Sequence, residues 1–381
     1  MSRPELLERV RDRLAAAGTP LDPVAVARAL AAEGRPVGDA EALAVLDELR
    51  RDVLGAGPLE PLLREDGVTD VLVNGPEAVY LDRGDGLELT GVRFSDDLAV
   101  RRLAQRLAAS AGRRLDDATP YVDLRLRDGT RFHAVLAPLS RPGTVLSLRV
   151  PSGRPLDLAA LGTRGTVGEE GAALLQRIVR RRLAFLVTGG TGSGKTTLLS
   201  ALLGVVDPRQ RIVVVEDASE LRPDHPHVVG LEARPPNVEG AGAVPLQVLV
   251  RQALRMRPDR LVVGEVRGAE IVDLLTAMNT GHEGGCGTLH ANSCADVPAR
   301  VEALAMAAGM PREAAHSQLA SALDVVVHLV RDGGVRRVAE VAVLERSTDG
   351  FVEARPAVTF GSDGKPRTHP GADRLGDLLC R

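Results

Sequence analysis

The sequence feature that most constrains this chain is the segment TGGTGSGKTT, residues 188–197. Residues 189–196 fit the pattern G-x-x-x-x-G-K-[ST], between an apolar strand pattern, AFLVTG, and a helix pattern, KTTLLSALLG. A glycine-rich loop in that position can wrap phosphate groups with its backbone N–H groups, and the helix N-terminus adds a favourable dipole. The alternative is a glycine-rich turn with a structural role alone. The context predicts an α/β domain that binds a nucleotide.

Lys195 stands out within this loop because the chain has 48 lysines and arginines, of which only Lys195 and Lys365 are lysines. A compact ammonium fits between the β- and γ-phosphates inside a narrow loop, whereas a broad, planar guanidinium does not. The hydroxyl of Thr196 is suited to hold Mg²⁺. We therefore expect ATP and Mg²⁺ as cofactors. The residues expected to hold the nucleotide are Gly189, Gly190, Thr191, Gly192, Ser193, Gly194, Lys195, Thr196 and Thr197.

Length and composition limit the class of protein. A chain of 381 residues is expected to form two or three domains, and 44% hydrophobic with 26% charged residues is typical of a soluble globular protein. The three cysteines form no CxxC pair, which excludes a four-thiolate zinc site and fits a reducing compartment. The sequence has no signal-peptide pattern and no apolar run of about 18 residues, so we expect a cytoplasmic protein without a membrane span.

The first 150 residues contain two successive patterns. Apolar residues recur at helical spacing within residues 1–56. These positions are Leu6, Leu7, Val10 and Leu14, followed by Leu43, Val45, Leu46 and Leu49. From about residue 57 the pattern changes to short strands with Asn-Gly and Asp-Gly turns, together with one amphipathic helix at 98–112. The strand segments are 69–75, 77–94, 122–139 and 144–150. This pattern predicts a small α+β domain with an antiparallel sheet.

The remainder of the chain alternates short apolar strands with helices, which predicts a parallel sheet covered on both faces. A Pro- and Gly-rich stretch before it predicts a hinge, and the polar, Gly/Pro-rich C-terminal residues predict a loose end. The predicted regions are a helical region 1–56, a small α+β domain 57–150, a hinge 151–166, a phosphate-loop domain 167–347 and a tail 348–381.

The segment RMRPDRLVVGEVRGAE, residues 255–270, contains an apolar strand that ends in an acid, Glu265. Glu265 has the reach to polarise a water molecule aimed at the γ-phosphate. Asp259 is interpreted as a helix-to-strand turn residue. An acid in an exposed turn is the alternative for Glu265, but the acid follows buried-type residues, so we predict a catalytic role.

A second acidic group follows another predicted strand, in VVVEDASEL, residues 213–221. Carboxylates at the carboxyl end of a strand, beside a bound nucleotide, can position water or hold Mg²⁺ through water. We therefore predict catalytic roles for Glu216 and Glu220 and a water-mediated Mg²⁺ contact for Asp217. The alternative is a solvated acidic loop.

The segment NTGHEGGCGTLHANS, residues 279–293, carries two histidines, His282 and His290. Zinc is one interpretation, but no spacing here matches a tetrahedral ligand set. A polar side chain at the end of a central strand is better interpreted as a sensor that changes partner when the γ-phosphate leaves. We assign that role to His290.

Together these four segments resemble the secretion ATPase superfamily of type II and type IV systems, which includes pilus-assembly motors. The Walker A loop corresponds to TGGTGSGKTT, the Asp box to VEDASEL, the Walker B segment to RPDRLVVGEVRGAE and the His box to TGHEGGCGTLHANS. HPHVVGLEARPPNVEGAGAV and LVRQALRMRPDR are similar to the Tad/Flp-pilus branch, often called CpaF or TadA, and to its conjugation relatives. GPLEPLL and TDVLVNG extend the resemblance back to about residue 57.

The resemblance implies an α/β fold: a RecA-like P-loop NTPase domain preceded by a small α+β (PAS-like) domain and an N-terminal helical segment. It implies a homo-hexamer that hydrolyses ATP at the inner face of the cytoplasmic membrane. The ring would act on a membrane-embedded platform protein to assemble or secrete pilin-like or other substrates, without binding nucleic acid directly. By position, Arg125, Arg131 and Arg149 match small-domain arginines that reach the nucleotide phosphates in this family. Arginines on exposed strand faces are the alternative.

Some residues depart from the family pattern. A glycine precedes Glu265, and the His box carries Cys286 and Leu289 where the Tad branch more often has Thr or Ile. Three other functions compete: a RecA-like DNA-translocating motor, a small-molecule P-loop kinase and a nucleotide-gated scaffold with little hydrolysis. A net charge of -3 and 2% aromatic residues disfavour the DNA motor. The long segment before the loop disfavours the kinase.

Overall fold

The computed structural model describes residues 9–10, 13, 22–33, 38, 43, 45–46, 55–84, 86–126, 128–151, 156–234, 236, 240–332 and 334–380. The chain separates into two compact units, Met1–Gly153 and Arg154–Arg381. This division falls inside the segment predicted as a hinge. The other region boundaries stay predictions.

The described residues at the start of the first unit are mostly helical. Helix α1, Pro23–Ala32, begins after Asp22, whose side chain accepts a hydrogen bond of 2.8 Å from the backbone N–H of Ala25. Such a cap satisfies one of the free donors at a helix start. A small apolar cluster contains Val10, Val26, Ala29, Leu30, Val45 and Leu46. Of the predicted helical positions, Leu6, Leu7, Leu14 and Leu49 lie outside the described residues.

The rest of the first unit is the predicted small α+β domain, which the structure confirms. A 3₁₀ turn, Gly57–Leu59, and helix α2, Glu60–Leu63, lead into it. Its strands are β1 (Asp70–Asn74), β2 (Val79–Asp82), β3 (Leu87–Leu89), β4 (Tyr121–Arg125), β5 (Arg131–Val135) and β6 (Val145–Arg149), with helix α3 at Asp97–Ser110. They form one antiparallel sheet in the order β3-β2-β1-β6-β5-β4.

One face of this sheet is apolar because side chains alternate along each strand. In β5, Phe132 and Ala134 are buried, whereas Arg131 and His133 belong to the opposite face. Helix α3 adds its apolar stripe, which includes Leu103, to the same cluster. The core therefore lies between α3 and one face of the sheet.

The second unit is built on a nine-stranded sheet. Its strands are β7 (Phe185–Gly189), β8 (Ile212–Glu216), β9 (Val228–Glu232), β10 (Arg260–Val266), β11 (Cys286–Leu289), β12 (Val325–Asp332), β13 (Val335–Arg346), β14 (Val352–Phe360) and β15 (Pro366–Thr368). The order is β15-β14-β13-β12-β7-β11-β10-β8-β9. The six strands from β12 to β9 in this order are parallel, and β13, β14 and β15 add an antiparallel extension.

Helices cover both faces of this sheet, as predicted. They are α4 (Leu158–Thr163), α5 (Glu169–Arg180), α6 (Lys195–Leu203), α7 (Leu246–Ala253), α8 (Glu270–Asn279), α9 (Val297–Ala307), α10 (Arg312–Ala322) and α11 (Ala372–Cys380), with a 3₁₀ turn at Leu254–Met256. In β7, Phe185 and Val187 join the cluster that contains α4, α5, α6 and α11, whereas Leu186 joins the cluster that contains α7, α8, α9 and α10.

Two sequence predictions are corrected. The predicted hinge contains helix α4, because Leu158 and Leu161 are buried in the core of the second unit. The prediction of a loose tail after residue 348 is wrong: strands β14 and β15 extend the sheet, and α11 packs on it. Phe360 and Leu375 fill that core, and the helical spacing of the leucines in α11 is the signal that the Gly and Pro content of the segment obscured.

Candidate functional site

The four sequence motifs meet at one edge of the nine-stranded sheet. Strands β7, β11, β10 and β8 are parallel neighbours, so their carboxyl ends lie at the same edge. Each of these strands leads directly into, or contains, one of the four motifs. In parallel α/β sheets this edge is where ligands bind. The order of the strands along the chain did not predict which strands are neighbours. The last of the four in sequence, β11, lies between β7 and β10 in the sheet.

The glycine-rich loop has the backbone that its sequence predicts. Gly189, Gly192 and Gly194 have φ angles of 146°, 72° and 94°, values that side-chain-bearing residues rarely adopt. A Cβ on Gly189 would also lie 2.6 Å from the hydroxyl oxygen of Ser193 and would collide with the carbonyl oxygen of Leu329 in β12. Gly194 precedes the first residue of α6. The backbone N–H groups of the loop therefore come directly before the N-terminus of α6.

Lys195 is the first residue of α6 and is 8% exposed. Its ammonium donates hydrogen bonds to the backbone carbonyls of Gly189, at 3.1 Å, and Gly190, at 3.0 Å. Burial lowers the pKa of Lys195, and the charge of Glu265 opposes that shift. The only buried lysine of the described chain therefore lies inside the curve of the loop, beside an acid from β10.

Glu265 and His290 form the centre of the site. The Nε2 atom of His290 lies 2.6 Å from Oε1 of Glu265 and 3.5 Å from Nζ of Lys195. Burial, and then the charge of Lys195, lower the pKa of His290 against the opposing effect of Glu265. The imidazole is therefore neutral at neutral pH, between an ammonium and a carboxylate. The structure brings together the three residues to which the sequence assigned the central catalytic roles.

Arg267, for which no role was predicted from the sequence, completes this group. Its guanidinium pairs with Oε2 of Glu265. Hydrogen bonding to Glu265 raises the pKa of Arg267, and the charges of Asp217 and Glu220 add to the effect. The signal was available, because a residue two positions after Glu265 in an extended segment lies on the same side of the chain.

Oγ of Ser193 is buried at this site without a hydrogen-bond partner within the described part of the chain. Oε1 of Glu265 is also buried, and Nε2 of His290 lies 2.6 Å from it. Unsatisfied buried polar atoms beside a glycine-rich loop suit a polar ligand. The hydroxyl of Thr196, in the first turn of α6, and the carboxylates that follow β8 are oxygen donors of the kind that Mg²⁺ prefers. These residues fit a magnesium nucleotide.

Glu216, at the end of β8, is 5% exposed and shapes the acidic loop. Its Oε1 accepts hydrogen bonds from the backbone N–H groups of Glu220, at 3.0 Å, and Leu221, at 2.9 Å. Asp217 and Glu220 themselves are exposed. Burial raises the pKa of Glu216 to about 7, although the two N–H groups oppose the shift. The carboxyl therefore holds the loop that carries the other two acids.

The raised pKa of Glu216 predicts a specific pH dependence of stability. The folded state favours the protonated carboxyl, so this stabilisation is complete below the ordinary pKa of 4.5 and is lost as the pH rises through about 7. We expect Glu216→Gln, which mimics the neutral form, to unfold like the wild type near pH 4.5. At pH 8.5 we expect it to be more stable by up to about 3 kcal/mol. Urea unfolding at the two pH values measures this, with Glu313→Gln, at an exposed position of α10, as the control. A difference between Glu216→Gln and the wild type that does not change with pH would contradict the prediction.

A β-bulge gives Glu265 its place in β10. Val263 pairs with Gly287 of β11 and Val266 pairs with Leu289, so Gly264 and Glu265 together oppose one residue, Thr288. Bulges next to active sites redirect side chains. A Cβ on Gly264 would lie 2.5 Å from Cγ and 2.9 Å from Oε1 of Glu216. Position 264, where the sequence departs from the family pattern, therefore requires glycine, because the side chain of Glu216 lies where a Cβ would be.

Gly264→Ala is expected to destabilise the fold by about 1–3 kcal/mol, because the new methyl group overlaps the buried side chain of Glu216. In a Glu216→Ala background the overlap is removed, and we expect the same substitution to cost much less. Urea unfolding of the four proteins in this double-mutant cycle measures the coupling. Equal costs in the two backgrounds would show that Glu216 does not require glycine at this position.

The three predicted arginines lie in the first unit and form one row. Arg125 pairs with Arg131 across β4 and β5, and Arg131 pairs with Arg149 across β5 and β6. Directly paired residues project from the same face of a sheet. Nε of Arg149 also donates to Asp70 at 3.0 Å. The side chains of Arg125 and Arg131 are partly buried, so only Arg149 fits the interpretation of an arginine on an exposed strand face.

Arg331 and Arg336, on the β12–β13 hairpin, are further residues that sequence reasoning missed. Nε of Arg336 donates to the carbonyl of Gly192 at 3.0 Å, and Nη1 of Arg331 lies 3.6 Å from the place of a Cβ on Gly192. Two apolar alternating segments around Asp-Gly-Gly were the available hairpin signal. His282, by contrast, contacts the end of α8: its Nδ1 is 3.2 Å from the carbonyl oxygen of Ala277.

Comparison with known proteins places this arrangement in a family. The model of the family described as "Type II/IV secretion system protein" matches residues 52–357, which is most of the chain. The chain belongs to the type II/IV secretion system protein family. The resemblance expected from the four motifs is thereby confirmed.

Curated relatives of this secretion family protein agree with the assignment. A Mycobacterium tuberculosis protein named for conjugal transfer is 59% identical over 325 residues, which cover 84% of this chain and 92% of the relative. The type IV secretion system protein PtlH of Bordetella pertussis is 33% identical and covers 74% of this chain and 92% of its own. The conjugal transfer protein TrbB of Rhizobium radiobacter is 30% identical, over 73% of this chain and 84% of its own.

Solved structures show that the secretion family protein shares their fold. The Legionella pneumophila ATPase DotB aligns with a TM-score of 0.51 and 19% identity, over 82% of each chain. The pilus retraction motor PilT with bound ADP aligns with a TM-score of 0.53 and 19% identity, also over 82% of each chain. The predicted fold class is confirmed. Among the described helices, none combines the length and the apolar character that crossing a bilayer requires.

Proposed function

We propose that this chain is an ATPase that powers a type II or type IV secretion machine. The observation that carries the proposal is the contact group of Lys195, Glu265 and His290 at the glycine-rich loop, with Glu265 2.6 Å from His290. A buried ammonium beside phosphate-binding backbone and an acid suited to orient water are the two requirements of phosphoryl transfer to water. Family membership and the relatives' names support the link to secretion.

In the proposed reaction the loop N–H groups and Lys195 bind the triphosphate. Lys195 exchanges its bonds to the carbonyls of Gly189 and Gly190 for bonds to phosphate oxygens. Thr196, and Asp217 through water, would hold Mg²⁺, which neutralises charge on the phosphates. Glu265 orients the attacking water through Oε1, the buried oxygen that Arg267 does not hold.

The remaining residues position this acid and report on the reaction. Arg267 pairs with Oε2 of Glu265, so Oε1, which lies 2.6 Å from Nε2 of His290, becomes available to water when His290 changes partner. His290, neutral and close to Lys195, can exchange the carboxylate for a phosphate oxygen and so act as the sensor. Glu216 acts by holding the acidic loop, and Glu220 acts from that loop. We also propose that Arg125, Arg131 and Arg149 contact nucleotide phosphates, the role that the family resemblance implies.

At the level of the machine we propose a homo-hexamer at the inner face of the cytoplasmic membrane. It would act on a membrane-embedded platform protein of a Tad/Flp-like system and move pilin-like or other substrates. DNA translocation is the second candidate, because two of the relatives are named for conjugal transfer.

The direct test measures phosphate release from ATP with Mg²⁺ and no added acceptor, together with molar mass by light scattering with and without ATP. Hydrolysis by a six-subunit particle supports the motor. No release of phosphate, or release only with a small-molecule acceptor, contradicts it. Filter binding with single-stranded and duplex DNA separates the two candidates, because tight, salt-sensitive binding favours DNA translocation.

A further inference from the structure

The bulge in β10 is held by a side chain rather than by the regular ladder. Pairing of β10 with β8 ends at Val263, and pairing with β11 passes over Gly264 and Glu265. At this point the hydroxyl of Thr288, which is 1% exposed, donates a hydrogen bond of 2.6 Å to the carbonyl of Gly264. Thr288 is the one residue of β11 that faces the bulge.

This hydrogen bond connects two strands immediately before their reactive residues. Gly264 precedes Glu265, and Thr288 lies two positions before His290. The carboxylate of Glu265 and the imidazole of His290 then approach to 2.6 Å. The bond from the buried Thr288 hydroxyl to the Gly264 carbonyl therefore fixes the separation of the ends of β10 and β11. Glu265 and His290 project from these two ends.

The neighbours of the bulge limit its movement differently on its two sides. Glu216 lies against the Cα of Gly264 and blocks displacement towards β8. On the β11 side, Val263 and Val266 pair with β11 before and after the bulge, and the hydroxyl of Thr288 bonds the bulge itself. Without it the bulge could move away from β11 and carry Glu265 with it.

We propose that Thr288 is a positioning residue that sets the direction of Glu265 through the carbonyl of Gly264. This inference rests on the proposed ATPase function, since Glu265 is the acid that would orient the attacking water. Thr288 does not contact the reacting groups. It acts by keeping the bulge in the one geometry that joins Glu265 to His290.

Thr288→Val is the test, because valine has nearly the shape of threonine but cannot donate a hydrogen bond. We expect kcat for ATP to fall about 10- to 100-fold, because a small displacement of an orienting group has an effect of that size. The Kd for ATP is expected to stay within about threefold, because the loop that binds phosphate is on another strand. Thr288→Ser keeps the hydroxyl and is expected to restore most of the rate. Thr276→Val removes a threonine bond to the Val272 carbonyl in α8, at 2.7 Å, and serves as the control with an unchanged rate.

A readout apart from turnover distinguishes positioning from a general loss of structure. The charge of Glu265 raises the pKa of His290, so a displaced Glu265 lets that pKa fall. In Thr288→Val we expect the ring proton signals of His290 to titrate at lower pH than in the wild type, as they should in Glu265→Gln. If Thr288→Val does not fold, Thr288→Ala takes its place in the same measurements.

The possible results separate this inference from the proposed function. A wild type that hydrolyses ATP, with Thr288→Val at the same rate and the same His290 titration, overturns the inference and leaves the function intact. A rate loss that Thr288→Ser does not restore also overturns it, since bulk and not the hydroxyl would then matter. A wild type without hydrolysis contradicts the function itself, and the His290 titration then still reports whether the hydroxyl sets the position of Glu265.

Discussion

Lys195→Ala is expected to lower phosphate release by about 10²–10³-fold and to weaken ATP binding, because it removes the buried ammonium that the loop encloses. The ammonium lies 3.0–3.1 Å from two carbonyls of the loop, so it is already inside the loop, where it can bond phosphate oxygens that the loop holds. Stopped-time assays of phosphate release and titration with a fluorescent ATP analogue measure the two effects.

Lys195→Arg is expected to be nearly as inactive, although it keeps the positive charge. The side chain at position 195 is 8% exposed, and a guanidinium is too broad to turn inside that curve. The chain supplies a matched control, because its other lysine, Lys365, is exposed in the second unit. Lys365→Ala should hydrolyse ATP at the wild-type rate. Normal turnover by Lys195→Ala would remove the loop from the mechanism.

Glu265→Gln is the second substitution with a large expected effect: loss of hydrolysis, about 10²–10³-fold, with ATP still bound. Glutamine has nearly the same shape but cannot accept a proton or orient water as strongly. Loss of the Glu265 carboxylate also removes the ion pair with Arg267 and the charge opposite His290. Single-turnover hydrolysis and equilibrium ATP binding, measured on the same protein, separate the chemical step from affinity.

The control for this substitution is Glu283→Gln, an exposed acid in the turn before β11, whose backbone carbonyl is bonded to Arg182. We expect it to be active. Equal hydrolysis by the wild type and Glu265→Gln, both slow, would instead favour a nucleotide-gated scaffold. The two substitutions therefore discriminate: Lys195→Ala affects binding and chemistry, whereas Glu265→Gln affects chemistry alone.

The sequence predicted the parts of the site that depend on local pattern. The loop at 189–196 and the strand before Glu265 have apolar and glycine patterns that determine backbone shape over a few residues. That the acids and His290 follow the carboxyl ends of strands was also predicted, but which of those strands are neighbours was not. The small antiparallel domain was equally clear, because its turns carry Asn-Gly and Asp-Gly.

The unpredicted parts depend on register and on distant neighbours. The bulge at Gly264 can be recognised only once β11 is aligned beside β10, and the need for glycine there comes from Glu216 on a third strand. The raised pKa of Glu216 arises from burial, which the polar sequence around it does not indicate. The C-terminal strands were missed because their Gly and Pro content outweighed a weak alternating pattern.

The β12–β13 hairpin has a consequence for how this chain can change over evolutionary time. Arg336 bonds the carbonyl of Gly192, a residue 144 positions earlier, and the Leu329 carbonyl occupies the space that a side chain at position 189 would need. Sequence drift in the last third of the chain is therefore constrained by the curvature of a loop encoded near its middle.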